Sequence, residues 1–389
     1  MGLSPTLDTI TLDTITLDTA TLGSGTLGSG TLGSATRDAG REAGAARLPY
    51  GASWINRLTA WVDARPGPAW CYYLAGLLAA AGLPLAIAAG EGVYRPQMIG
   101  FAAVFMGSSV YYLALIHYLD RIAAGAFAEF GPAMGIAEQP ATDLNYALTH
   151  LPAAPVRLLT LVGLVCALGM IAGTEQGAVA VDSSYFGTST PAQLYWRAAL
   201  IADQMLFWNL LYHTVHQLRI VNLIYTQHAK IDIFNLSPLY KLSRLAACTA
   251  VGTILIAYLW LATYPWMGED YLVMGSWLLG ILAAGAGFVL PLLGIHRRLV
   301  EEKQRWKVEA GQWLKTCLSD FHATIADRKL EEIDAQLKMI EGVQREQALL
   351  DQIPTWPWQP GTVRGLTTTI LAPVILWCIM RVLEHFLAF

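Results

Sequence analysis

The sequence predicts an all-α, polytopic membrane protein: seven transmembrane helices, N-terminus in the cytoplasm, C-terminus outside, and a cytoplasmic helical hairpin between helices six and seven. Three observations predict it. Of 389 residues, 54% are hydrophobic and only 14% charged, where a soluble domain carries about 25% charge. Apolar runs of about 20 residues, the length a helix needs to cross a bilayer, recur seven times. Lys and Arg gather in alternate loops, as cytoplasmic loops do. The net charge of −4, with no dominant basic patch, argues against a nucleic-acid partner and leaves the lipid bilayer as the expected one.

Residues 1–46 come first. Positions 6–35 are six tandem pentads, TLDTI, TLDTI, TLDTA, TLGSG, TLGSG and TLGSA. Stacked as a β-solenoid they would have to bury a continuous core. One Leu in five among Thr, Asp, Gly and Ser cannot offset the entropy of ordering the chain, so a disordered low-complexity tail is expected. The segment has no apolar stretch of the signal-peptide kind. Five cysteines, Cys71, Cys166, Cys248, Cys317 and Cys378, form no CxxC pair. Most sit in apolar runs, where Cys acts as a small hydrophobe.

Residues 47–295 form a six-helix transmembrane region. Its spans fall near 70–89, 98–119, 156–173, 194–215, 245–264 and 272–294. Arg57 and Arg65 precede the first span, and Arg121 and Arg157 follow the second. Lys230, Lys241 and Arg244 follow the fourth, and Arg297 and Arg298 follow the sixth. The opposite loops carry Glu91, Glu175, Asp182, Glu269 and Asp270, with Arg95 as their clear cation. Every loop agrees with the N-in, C-out solution.

Residues 296–353 continue the sixth span as a helical hairpin. Leu299, Trp306 and Trp313 recur every seven residues; Leu330, Ile333, Leu337 and Ile340 follow at spacings of three, four and three, a heptad seam. The expected role of Trp306 and Trp313 is oligomerisation, weighed against burial between the two arms or against residues 217–244. Residues 354–389 are an elbow, with prolines that break the helix and Trp356 and Trp358 at the headgroup level, followed by the seventh span.

Several residues could carry chemistry. Asp203 stands inside the fourth span, about 13 Å below the outer surface at 1.5 Å per residue, where an unpaired carboxylate is costly. Arg381 of the last span lies at a comparable depth and is the expected partner, either as a structural bond or within a polar pathway. Thr367, Thr368 and Thr369 are the polar run of that span, followed by Pro373. They could line water or bond back to their own helix. His213 and His216, one turn apart, with His117 at the end of the second span, are alternative haem or metal ligands, although hydrogen-bonded interfacial imidazoles are commoner. No phosphate-binding glycine loop, GxSxG or paired-carboxylate motif occurs, so no enzyme site and no cofactor is expected.

With seven spans, this orientation, long cytoplasmic helices and a last span reading GLTTTILAPVILWCIMRVLEHFLAF, the chain resembles the insect odorant and gustatory receptors over residues 50–389. That resemblance implies an oligomeric, ligand-gated cation channel with a cytoplasmic anchor domain and a pore lined by the last helix. Thr368 and Thr369 match the family's last-span signature; its Tyr and Gln-Phe have no counterpart here. The stretch IYTQHAKIDIFNLSPLYKLSRL (224–245) is also similar to uncharacterised bacterial integral membrane proteins. Three readings are carried forward: a channel-like or receptor-like oligomer, a non-transporting scaffold whose hairpin recruits a partner, and a haem or metal protein.

Overall fold

The computed structural model describes residues 49–92, 96–133, 135–176, 189–228, 232–263, 271–328 and 330–358, with 361, 364, 365, 367, 368, 371, 375 and 379 beyond them; some helical positions, chiefly 271–288, are described by backbone alone. The chain divides into Met1–Arg47 and Leu48–Phe389. The pentads, Thr369 and Arg381 lie outside the described residues.

Among the described residues the protein is helical, with one isolated bridge, Ala52 to Pro152, and no strand. The helices are α1 (Trp54–Asp63), α2 (Ala69–Glu91), α3 (Pro96–Ala133), α4 (Glu138–Thr149), α5 (Ala153–Glu175), α6 (Thr190–Leu223), α7 (Ser237–Thr263), α8 (Tyr271–Ala326) and α9 (Leu330–Gln352). A π-helical turn, Ile224–His228, closes α6. The first six expected spans fall in α2, α3, α5, α6, α7 and α8, in that order.

Four stretches are long and apolar enough to cross a membrane: Ala69–Glu91, Ile99–Pro132, Ala153–Glu175 and Leu239–Trp260. The protein is therefore a membrane-embedded helical bundle. Only 17% of the α2 and α5 windows is buried, against 44% for α3 and 56% for α7. So α2 and α5 are peripheral, and their outer faces suit lipid. α6 is too polar to belong to this set, yet it packs on α2, α3, α4, α5, α7 and α8.

The buried residues of α3 explain its central position. Phe105, Tyr112, Leu119 and Ala126 recur every seven residues, interleaved with Ile116, Ala123 and Phe130, an alternation of threes and fours that keeps one seam facing its neighbours. The seam meets α6 and α7 in an aromatic cluster. Phe105 lies 5.5 Å from Trp196 and 4.6 Å from Trp260, edge to face, the geometry aromatic quadrupoles favour.

Close approach is made by glycine. A Cβ on Gly163 of α5 would stand 2.6 Å from the Gln204 carbonyl oxygen and 2.7 Å from Met205 Cα, both backbone of α6. A Cβ on Gly252 of α7 would meet Leu115 of α3 at 2.5 Å. Small residues at crossings are how helices pack without a hydrophobic driving force between them.

α8 runs 56 residues without a break, from the expected sixth span into the hairpin. Arg328, at φ 56° in the turn, reverses the chain into α9. The arms are antiparallel: Gln336 donates to Thr324 Oγ1 near the turn, and Lys307 pairs with Asp351 at the far end. The seam, however, is not the one the tryptophans mark. Ala310, Cys317 and Thr324, also seven apart, are buried, while Trp306 and Trp313 remain 38% and 61% exposed. Small side chains let the two axes approach, and indoles are too large to fit between them. Trp306 touches Phe234 of the 217–244 segment at 5.6 Å. Of the expected seam in α9, Ile340 is buried and Leu337 is exposed.

The Gly163 crossing yields a prediction. Gly163→Ala should lower the thermal midpoint in detergent by an amount equivalent to about 1–3 kcal/mol, because the obstacle is backbone that cannot step aside. Gly169→Ala, which meets nothing within 4 Å, should be neutral or slightly stabilising. Equal midpoints for the two variants would show that the α5–α6 contact is not close-packed.

Candidate functional site: the buried polar face of α6

α6 carries Asp203, Asn209, His213 and Gln217, all buried. Each has been given protein rather than lipid to face. Asp203 is 2% exposed. Its Oδ2 accepts from Gln204 Nε2 at 3.2 Å, and its Oδ1 has no partner among the described residues. Tyr112 of α3 is within its electrostatic reach. The expected partner, Arg381, lies outside the described residues.

One turn and a half further on, Asn209 donates to Thr160 Oγ1 at 3.0 Å and to the Met205 carbonyl at 2.7 Å. Thr160 also accepts from Trp54 Nε1 at 3.0 Å, so one hydroxyl of α5 joins α1 to α6. His213 donates from Nε2 to Asp120 Oδ1 at 2.8 Å, with the imidazole buried and the carboxylate 12% exposed. His216 donates to the Ala147 carbonyl at 2.9 Å, and Gln217 donates to the Leu148 carbonyl at 3.3 Å. These two bonds satisfy the C-terminal carbonyls of α4, which a helix end leaves without intrahelical donors.

A second carboxylate–imidazole pair stands beside the first. Asp63, the last residue of α1, accepts from His117 Nε2 at 2.9 Å and from Arg121 at 3.0 Å. The Tyr73 hydroxyl meets His117 Nδ1 at 2.8 Å. A neutral imidazole protonated on Nε2 satisfies this set, with tyrosine donating to Nδ1. Asp120 is also within electrostatic reach of His117 and of His150. His150, in the α4–α5 turn, stacks on Tyr146 at 4.3 Å, and burial pushes its imidazole below the usual range.

The chain entering α1 is laced to this turn. Ser53 caps α1, and its own N–H donates to the Leu151 carbonyl at 3.1 Å. Asn56 Oδ1 accepts from the Leu151 N–H at 2.9 Å, and its amide donates to the Thr149 carbonyl. Tyr50 donates to the His150 carbonyl at 2.7 Å, and Tyr146 donates back to the Tyr50 carbonyl at 2.8 Å.

The expected site residues therefore separate into groups. His117, His213 and His216 share one end of the bundle but do not assemble as metal ligands. His117 is committed to Asp63 and Tyr73, His213 to Asp120, and His216 to a carbonyl. Among the described residues no three His, Cys, Asp or Glu side chains are arranged to hold a metal ion. Asp203 stands about 15 Å along α6 from His213 at 1.5 Å per residue, with Asn209 between them. Thr367 and Thr368 are exposed on the C-terminal helix, and Thr368 bonds back to the Arg364 carbonyl at 2.8 Å. Sequence reasoning missed Asp63 and Asp120, which it did not single out. The available signal was the α3 seam, which continues through Leu119 and Ala123 and carries Asp120 inside.

Compared with family models, with curated proteins and with solved structures, the chain matches none.

The His213–Asp120 pair can be tested by a double-mutant cycle. Asp120→Ala and His213→Ala should each destabilise, because each strands a buried polar partner. The double variant should be less damaged than the sum of the two. Coupling of about 1 kcal/mol is expected, the scale of polar contacts between membrane helices. Additivity in thermal melts would mean that the pair contributes no interaction energy.

Proposed function

We propose that this protein is a channel-like or receptor-like oligomer of the cell membrane, with seven spans, N-terminus in the cytoplasm and C-terminus outside. Ions would pass along a path lined by the seventh helix and bordered by the Asp203 region. The observation that carries this reading is that every described residue of the C-terminal segment beyond 360 is exposed. Arg364, Thr367, Thr368, Leu371, Ile375 and Ile379 are exposed, and at 100° per residue they share an arc of about 120°; Gly361 and Gly365 line a separate groove against α3 and α7. The stripe runs from a cation and a hydroxyl at one end to aliphatic side chains at the other. In a ring of copies, that order supplies a polar entrance followed by an apolar constriction, which can gate by dewetting. The resemblance to the insect receptors points the same way. The ligand is unassigned, and the resemblance implies a cation as the ion.

A second reading is favoured by a different observation. Trp306 and Trp313 flank the hairpin seam and stay exposed, with Val308 half exposed between them. Tryptophan left on a surface marks an interaction site. The hairpin would then recruit a partner or a second copy, and the spans would serve as its anchor.

Two measurements separate the readings. In proteoliposomes the protein should pass monovalent cations, and Thr368→Leu should change the flux; a protein that is folded and oligomeric yet passes nothing returns the scaffold reading. For the hairpin, Trp306→Glu with Trp313→Glu should shift the detergent-solubilised mass toward the monomer. A wild-type protein that is already monomeric sinks the oligomer.

A further inference from the structure

On the outer surface where α3 crosses α7, a groove of about 570 Å³ opens between the two helices and the start of the C-terminal segment. It is within the size range of small-molecule sites, and its chemistry is graded along its length. At one end Arg244 of α7 and Tyr118 of α3 line the rim, and both are exposed. At the other end the walls are Val251 and Leu255. Eleven residues of α7 separate Arg244 from Leu255, about 16 Å along the helix.

Among the described residues nothing makes a hydrogen bond or an ion pair with Arg244, whereas the neighbouring cations are engaged: Lys241 pairs with Glu129 at 3.0 Å and Arg121 with Asp63 at 3.0 Å. The third wall is formed by Gly361 and Gly365, and a Cβ on either would meet nothing within 4 Å. At these two positions the wall carries no side chain. The floor is held by the Tyr111 hydroxyl, which donates to the Gly252 carbonyl at 2.8 Å.

Both helices belong to the apolar set, and Arg244 lies within the first quarter of the Leu239–Trp260 stretch. The groove therefore has its charge near one bilayer surface and its aliphatic end toward the middle. Apolar walls do not hold water well, so in a membrane the groove takes hydrocarbon, and an arginine fork at the rim selects a phosphate. We propose that this groove is a binding site for one anionic glycerophospholipid. An acyl chain lies along Val251 and Leu255, and the headgroup phosphate is held by Arg244. This needs only that the bundle sits in a membrane; it does not depend on conduction.

The test is native mass spectrometry of the full-length protein in neutral detergent, titrated with phosphatidylglycerol or with phosphatidylcholine of the same chains. Wild type should retain phosphatidylglycerol at least tenfold more tightly than phosphatidylcholine. Arg244→Gln should remove that preference, and Arg244→Lys should keep part of it, since a point charge replaces a fork. Gly365→Trp, which fills the groove from its empty wall, should reduce retention of both lipids with little change in the thermal midpoint. Equal retention of the two lipids by wild type would overturn the proposal, as annular lipid alone behaves that way. An unchanged preference in Arg244→Gln would overturn it too. So would a change of subunit number in Gly365→Trp with lipid retention intact, which would assign the groove to a second copy.

Discussion

A helix bearing a carboxylate, an asparagine, two histidines and a glutamine cannot face hydrocarbon, and the bundle is arranged around that constraint. Each polar side chain of α6 costs free energy in lipid unless another group meets it. The apolar helices α2 and α5 therefore stand outside, where their surfaces suit lipid, and α6 stands among its neighbours. The near contact of Gly163 with the backbone at Gln204 and Met205 follows from the same need. α5 must lie close for Thr160 to reach Asn209.

The hairpin is bound to the bundle through the irregular end of α6. Where α6 loosens into the π turn, two backbone carbonyls, of Tyr225 and Thr226, turn outward, and Arg298 of α8 donates to both, at 2.8 and 3.0 Å. Tyr225 itself is fully buried and donates to the Leu239 carbonyl at the start of α7. On the other side, Lys303 donates to the carbonyls of Asp351 and Ile353, and His296 stacks on Trp356, which stacks on Trp358. The middle of α8 thus grips the end of α6 with one cation and the returning elbow with another. The elbow tryptophans, expected at the headgroup level, spend three of their four faces on this stack.

Length and hydropathy made the helices legible in the sequence, because crossing a bilayer leaves few alternatives. The hairpin was legible from its period, but its inner face was not. Positions 306 and 313 and positions 310, 317 and 324 share one repeat, and period alone cannot say which series lies between the axes. Residue volume decides, in favour of alanine, cysteine and threonine. The polar site was half legible. Asp203 and His213 were conspicuous on an apolar background, whereas Asp63 and Asp120 gain their partners only where α3 meets α1 and α6. Pairing is a tertiary fact, and no local signal carries it.

One turn of α3 shows how much of the molecule depends on that tertiary placement. His117 reaches α1 through Asp63 and α2 through Tyr73. Tyr118 looks outward into the groove shared with α7. Asp120 holds His213 of α6, and Arg121 returns to Asp63. Five consecutive residues address four helices because successive side chains on a helix diverge by about 100°. The two imidazole–carboxylate pairs and the lipid-facing groove are therefore built on different sides of the same turn. A rotation of α3 that re-aimed Tyr118 would also have to break the Asp63 and Asp120 bonds. Since the imidazoles of both bonds are buried, that rotation is costly, and the groove keeps the shape that α1 and α6 impose on it from behind.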